Sequence, residues 1–366
     1  MPENISHAPL LYPFWGFLPV FGDSTIDKQR VEHYLQNGAG LFKISSLVES
    51  SVAVLPFHWE QIVDYDLYQA GRGLGVQPEG RAEAIRMAEE FAALAASENK
   101  SVLVFFSHDS VDEVPLGNTV VFRTSILGDS SRPNEHAMPF WMPDEVEASF
   151  GGELPLREKA TRPVIGFCGH NPVKLDIRAR LGNRLSPIPV VRGVAYRLGV
   201  RPVSSHPFHA RAKALAAVSR SSAVKSNFIF RDAWFNGVLE GGRIDRNLLN
   251  RSRQEFVENM FGSDYVLCTR GSGNYSIRFY EALCSGRIPV FVNTNCVLPF
   301  EEWIDWKQHC VWIEESDIPK LADRVAEFHE GLSPGEFKDR QRACRQLWLE
   351  WLSPYGFFKN LRRYFE

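Results

Sequence analysis

The chain predicts an α/β protein made of two facing domains. Three observations carry that reading. Apolar, β-branched runs alternate with helix-period segments along all 366 residues. The length exceeds what one ordinary core supports, so two domains are expected. And from Tyr265 to Val292 a strand, a glycine loop, a short helix, a glycine stop and a second strand follow one another directly. With 26 Phe and 9 Trp the chain can fill two substantial cores. The net charge of −3 argues against a nucleic-acid surface, so any anion site must be local.

In the first half the expected strands are 41–45, 52–56, 101–106 and 119–124. An alanine-rich helix over 81–97 lies between the second and third. Residues 133–152 read as loop, with Pro139, Trp141 and Pro143 in it. A new strand runs from 161 into the glycine turn at Gly169, and the polar segment 151–162 sets a boundary near 155. The domains are therefore 1–155 and 156–340. Residues 341–366 form a terminal helix and tail that pack back across the interface. Helices are expected around 207–219 and 252–259, from 317 through about 329, and over 336–352, with a strand at 310–313.

The richest segment is Thr269-Arg-Gly-Ser-Gly-Asn-Tyr-Ser276 and the helix after it. Gly271 and Gly273 let the backbone turn and approach a ligand. Ser276 is placed to cap a helix that stops at Gly286. Free N–H groups and a partial positive charge at that helix start suit a phosphate, and Arg278 adds a cation in the first turn. Glu281, one turn on, can accept from ribose hydroxyls. The competing reading is a tight βα turn followed by an Arg278–Glu281 surface ion pair. Two α/β domains with such a unit in the second give the GT-B outline, two facing Rossmann-like α/β domains with a cleft between them.

The six cysteines lack Cys-x-x-Cys spacing and sit in apolar runs, which suits buried thiols and not zinc or disulfides. Pro2, Glu3 and Asn4 give no basic leader, and residues 10–21 are short and proline-broken, so neither a signal peptide nor a membrane span is expected there. Asp64-Tyr-Asp66 imitates a metal motif but falls in a helical pattern. Gly71-Arg-Gly-Leu-Gly75 lacks the preceding strand and Gly-Lys-Ser ending of a P-loop. The basic, aromatic tail 359–365 suits peripheral membrane contact or packing across the domains.

The segment from Asp264 to about Leu321 resembles the exostosin family of glycosyltransferases, family 47. The matching strings are Ser263-Asp-Tyr-Val-Leu-Cys-Thr-Arg-Gly271, Ser276-Ile-Arg-Phe-Tyr-Glu-Ala-Leu283 and Gly286-Arg-Ile-Pro-Val-Phe291. Leu298-Pro-Phe-Glu-Glu-Trp-Ile-Asp-Trp306 and Ser316-Asp-Ile-Pro-Lys-Leu321 follow. The resemblance implies a GT-B fold, a nucleotide-sugar donor held by the second domain, inversion at the anomeric carbon and no metal cofactor. Uridine is the base it favours. It assigns Arg278 to the diphosphate and Glu281 to ribose, with Gly271, Ser272, Gly273, Asn274, Tyr275 and Ser276 beneath the phosphates. Arg231 is a second phosphate candidate, the alternative being a pair with Asp232 or another acid. A bacterial-type soluble member is expected, cytoplasmic or peripheral to the inner membrane, acting on a glycan or lipid-linked glycan acceptor.

Inverting transfer needs a base for the acceptor hydroxyl. Asp109, with His108 orienting it or acting itself, follows a strand end directly and is the favoured candidate. His58 with Glu60, after the 52–56 strand, is the second place for a base; His58 beside Trp59 could instead form a wall for the sugar, and His170 could touch the donor or cap its turn. The competing functions are a non-catalytic nucleotide-sugar-binding subunit and a sugar-nucleotide epimerase of the same fold.

Overall fold

The computed structural model describes residues 40–43, 45–56, 58–63, 80–170, 208–231 and 246–365. These form an α/β structure with two parallel sheets and helices around them, consistent with a GT-B-like glycosyltransferase fold. Asp64, Asp66, the 71–75 glycines and Asp232 lie outside the described residues.

The first sheet is β1 (Ala53–Val54), β2 (Val102–Phe106), β3 (Thr119–Arg123) and β4 (Glu135–Ala137), in that spatial order and all parallel. Every residue of β2 is buried, as befits a strand covered on both faces. Helix α1 (Glu60–Val63) is a single turn after β1. Helix α2 (Arg81–Ser97) turns Ala84, Ala88, Ala92 and Ala95 to the sheet. That small-residue stripe lets it sit close over Val102, Val104 and Phe106.

Helix α3 (Glu145–Phe150) starts on Asp144, whose carboxylate accepts from Val146 N and Glu147 N. Thus 133–152 is not a plain loop: it contributes an edge strand and a capped helix. Residues 41–43 and 45 form no strand, and among the described residues Ala53–Val54 is the first strand of the sheet.

The second sheet comprises β5 (Val164–His170), β6 (Lys225–Arg231), β7 (Tyr265–Cys268), β8 (Ile288–Asn293) and β9 (Val311–Glu314), ordered β6-β5-β7-β8-β9. Helices α4 (His209–Arg220) and α5 (Arg246–Phe261) lead into β6 and β7. After β5 the chain adds β6 on one side and then crosses to place β7 on the other. That reversal opens a crevice at the carboxyl ends of β5 and β7, where ligands of parallel sheets bind.

Helix α6 (Ile277–Cys284) leaves this crevice and ends at Gly286, whose φ of +61° is the left-handed stop expected of it. A 3-10 segment over Glu315–Lys320 precedes α7 (Leu321–Glu330), and α8 (Pro334–Leu347) starts on a Ser333–Glu336 capping box. The long helix stops sooner than its sequence suggests, passing into a π turn at Trp348–Leu352.

Helix α9 (Pro354–Leu361) brings Phe357 and Phe358 against Phe122 and Phe105 of the first sheet. Trp141 Nε1 donates to Leu352 O at 2.8 Å. One apolar cluster therefore runs from Phe105 and Phe122 through Trp141 to the second sheet. All six cysteines are free thiols and five are buried. Among the described residues no helix is long and apolar enough to cross a membrane.

At the end of β3, Arg123 is 1% exposed. It donates to Glu135 at 2.7 Å, to Ser110 O at 2.6 Å and to Asp112 O at 2.9 Å. It thereby clamps the loop that leaves β2. Arg123→Ala is expected to cost roughly 3 kcal/mol, because Glu135 stays buried with a weaker partner and two carbonyls lose a donor. Urea denaturation followed by tryptophan fluorescence measures it.

Candidate functional site

The loop between β7 and α6 is closed on itself and then nailed down. Gly271 N donates to Tyr275 O at 3.2 Å across it. Asn274 is fully buried, and its side-chain nitrogen donates to Ile126 O and Asn295 O at 2.9 Å each. Its Oδ1 accepts from Thr294 at 2.8 Å, and its backbone N donates to Ser125 Oγ at 2.9 Å. Ser125 and Ile126 follow β3, so the loop is fixed to both sheets. Next to it Leu127 and Cys296 form an isolated antiparallel bridge.

Tyr275 is buried and stacks on Phe140, with centroids 5.8 Å apart. Burial, reinforced by the Asp109 charge, holds its phenol well above its ordinary pKa, so it stays protonated. Asp109 itself is exposed and lies directly against Gly273. A Cβ at Gly273 would stand 2.5 Å from Tyr275 Cε1 and 2.7 Å from Asp109 Oδ1. The expected base of the first half and the glycine loop of the second thus meet in one place.

His108 sits behind, its ring stacked on Phe106 and its Nδ1 accepting from Ser110 N at 2.9 Å. Its carbonyl accepts from Thr124 Oγ1 at 3.1 Å. These contacts have His108 shaping its own loop.

His58 and Trp59 are 1% and 4% exposed. His58 pairs with Glu60 at 3.2 Å and stacks on Phe105, and Trp59 belongs to the core beneath α2. In this arrangement they are core residues and present no wall to a sugar.

Around the carboxyl end of the second sheet stand Arg278, Glu281, Arg231 and His170. Arg278 donates to Cys168 O at 2.6 Å, pairs with Glu281 at 2.7 Å and covers Phe256 at 4.6 Å. The Arg278–Glu281 pair is partly buried, not a solvated surface pair. Burial pushes the Glu281 carboxyl up, against the pull of Arg278.

Arg231, opposite His170 in the β5–β6 register, pairs with Glu255 at 2.5 Å and donates to Ser252 O at 3.3 Å. The half-buried His170 ring lies 5.8 Å from Phe208. Ser272 is exposed, and its carbonyl accepts from Arg270 at 3.1 Å. Ser276 begins α6, but its hydroxyl makes no capping bond and is buried without a hydrogen-bond partner among the described residues.

Sequence reasoning missed Arg211. It lies in the first turn of α4, and its side chain reaches Thr269 Oγ1 at 3.1 Å and Arg270 O at 2.8 Å. No motif marks it, because only the packing of α4 beside β7 brings it to the loop. Arg123 and Ser125, which brace the base and the loop, were equally unmarked.

Residues 236–328 match the Exostosin GT47 domain. The match spans about a quarter of the chain and takes in the glycine loop, Arg278 and Glu281. Exostosin-1 of Drosophila melanogaster is 37% identical over 87 residues, 24% of this chain and 11% of that protein. A probable glucuronosyltransferase of Oryza sativa subsp. japonica is 39% identical over 66 residues, 18% of this chain and 16% of its own length. A probable beta-1,4-xylosyltransferase of Arabidopsis thaliana is 36% identical over 66 residues, 18% and 16% respectively. These matches support a glycosyltransferase. The chain spans only 11% to 23% of the length of the first three relatives.

Gly273→Ala is expected to cost about 1–3 kcal/mol by forcing Tyr275 and Asp109 apart. Gly271→Ala, whose Cβ would meet only Arg211 Nη2 at 4.0 Å, should stay within about 0.5 kcal/mol of wild type. Equilibrium denaturation of the two variants side by side checks the contrast.

Proposed function

We propose that the protein is an inverting, metal-independent glycosyltransferase. It moves a sugar from a nucleotide-diphosphate sugar, with UDP the favoured carrier, to a glycan or glycoconjugate acceptor. The observation that carries this reading is the meeting of Asp109 with Gly273 and Tyr275 at the edge of the loop whose following helix bears Arg278.

In this reading the acceptor hydroxyl loses its proton to Asp109, and its oxygen bonds to the anomeric carbon from the face opposite the diphosphate. The bond from that carbon to the diphosphate oxygen breaks, and the pair of electrons leaves with the nucleoside diphosphate. Tyr275 holds the carboxylate in place and, remaining protonated, does not compete for the proton. Arg278 and the N–H groups that open α6 take up the charge on the leaving group. Glu281, already oriented by Arg278, is left to accept from ribose. Arg231, bound to Glu255, contributes positive field more than a free contact.

This assignment separates binding from chemistry. Arg278→Ala is expected to weaken UDP binding about 10- to 100-fold, the loss of a charge-assisted pair of hydrogen bonds. Asp109→Asn should retain nucleotide affinity while transfer falls at least about 100-fold. Calorimetry against UDP, GDP and ADP, with and without EDTA, measures the first. Turnover with NMR of the anomeric configuration measures the second. Near-normal turnover of the Asn variant would remove Asp109 from the mechanism, and binding abolished by EDTA would remove metal independence.

A further inference from the structure

The arginines at the carboxyl end of the second sheet are not evenly matched by acids. Arg278 has Glu281 and Arg231 has Glu255, each within ion-pair distance. Arg211 makes no ion pair among the described residues. Its two hydrogen bonds go to neutral acceptors, the Thr269 hydroxyl and the Arg270 carbonyl. They use Nε and Nη2 and leave the two N–H groups of Nη1 without a protein acceptor among the described residues. The guanidinium is half-buried, lies over Phe208 at 4.8 Å, and stands beside Gly271. Burial, with repulsion from Arg278, pulls its pKa down to about 10, so it is still charged at neutral pH.

A partly desolvated cation that faces another cation and has no carboxylate is unfavourable unless something anionic joins it. As a tie for the loop it is an odd choice, since a neutral donor could bond the same two oxygens. We propose that Arg211 is a second arm on the diphosphate. With Arg278 it forms a two-sided clamp over Gly271 that selects sugars carried on a diphosphate over those carried on a single phosphate. This rests on the donor-site reading above and adds to it a residue and a basis for selectivity.

The test uses inorganic pyrophosphate and orthophosphate beside UDP and UMP, titrated calorimetrically into wild type, Arg211→Gln, Arg211→Lys and Arg278→Ala. Wild type is expected to bind pyrophosphate and UDP well ahead of orthophosphate and UMP. Arg211→Gln should lose about 10- to 100-fold for the two diphosphates and only a few-fold for the monophosphates. Arg211→Lys, which keeps the charge but not the fork, should fall between.

Unliganded melting temperatures identify any variant that fails to fold. If the Gln variant is lost, the Lys variant decides on the same diphosphate-against-monophosphate contrast. Diphosphate affinity equal to wild type in a folded variant overturns the proposal. So does a loss that is the same for monophosphates and diphosphates, since a loop tie alone would give that.

The two readings can fail separately. UDP binding that depends on Arg278 but not on Arg211 leaves the donor site standing and sinks the clamp. Pyrophosphate binding that depends on Arg211, with UDP and other nucleoside diphosphates no better than pyrophosphate, keeps the clamp and sinks the donor assignment.

Discussion

The buried amide of Asn274 is the constraint on which the site depends. A glycine loop at a strand end has no fixed shape of its own, and two glycines close together make it less fixed. Here the Asn274 side chain bonds Ile126 and Asn295 carbonyls and the Thr294 hydroxyl, while its backbone N bonds Ser125. A side-chain amide has few bonds to give, and these are spent in three directions with no exposure to water. Because the partners belong to both halves, fixing the loop also fixes where Asp109 stands relative to it. Tyr275, one residue on, converts that alignment into a direct contact.

The same economy governs the first sheet. Arg123 is buried for the sake of the loop after β2: its bonds to Ser110 O and Asp112 O hold the chain just after Asp109, and Thr124 holds His108 O just before it. A buried guanidinium is a costly brace, and Glu135 makes it tolerable by pairing at 2.7 Å. The exposed carboxylate is thus carried on a loop whose backbone, not whose side chains, is held rigid. That suits the role proposed for it, since a base must meet its substrate in solvent and yet keep its position.

Much of this was legible in the sequence, and what was not has a physical reason. The β7–loop–α6–β8 unit could be read because a doubly covered parallel strand is a bare apolar run and Gly286 marks the helix end. Strand β6 was not read as one, since it is an edge strand with Lys225 and Ser226 exposed and so lacks that run. Residues 133–152 looked like loop because prolines dominate them, although Asp144 was a helix cap in plain view. Ser276 stands at the N-cap position as its sequence suggests, but its hydroxyl makes no capping bond. Arg278 and Glu281 could be placed on one helix face by spacing alone, whereas the burial of their pair and its reach to Cys168 O depend on β5. Arg211 left no local trace: its position at the loop comes from the topology that sets α4 beside the crevice.

The continuity of the core limits how the cleft can work. Two Rossmann-like halves joined only by a linker would be free to swing. Here Phe357 and Phe358 fill the first sheet's face from the far end of the chain, and Trp141 is bonded to Leu352. Swinging the halves apart would also strip Asn274 of its bonds to Ile126 and Ser125 and leave buried polar groups unpaired, at about 1–3 kcal/mol for each. Those costs fall on the same contacts that align Asp109 with the glycine loop. The geometry of base and loop is therefore built into the fold before a ligand arrives. In the proposed reading, little of a ligand's binding energy then has to go into assembling them, which leaves it for the transition state.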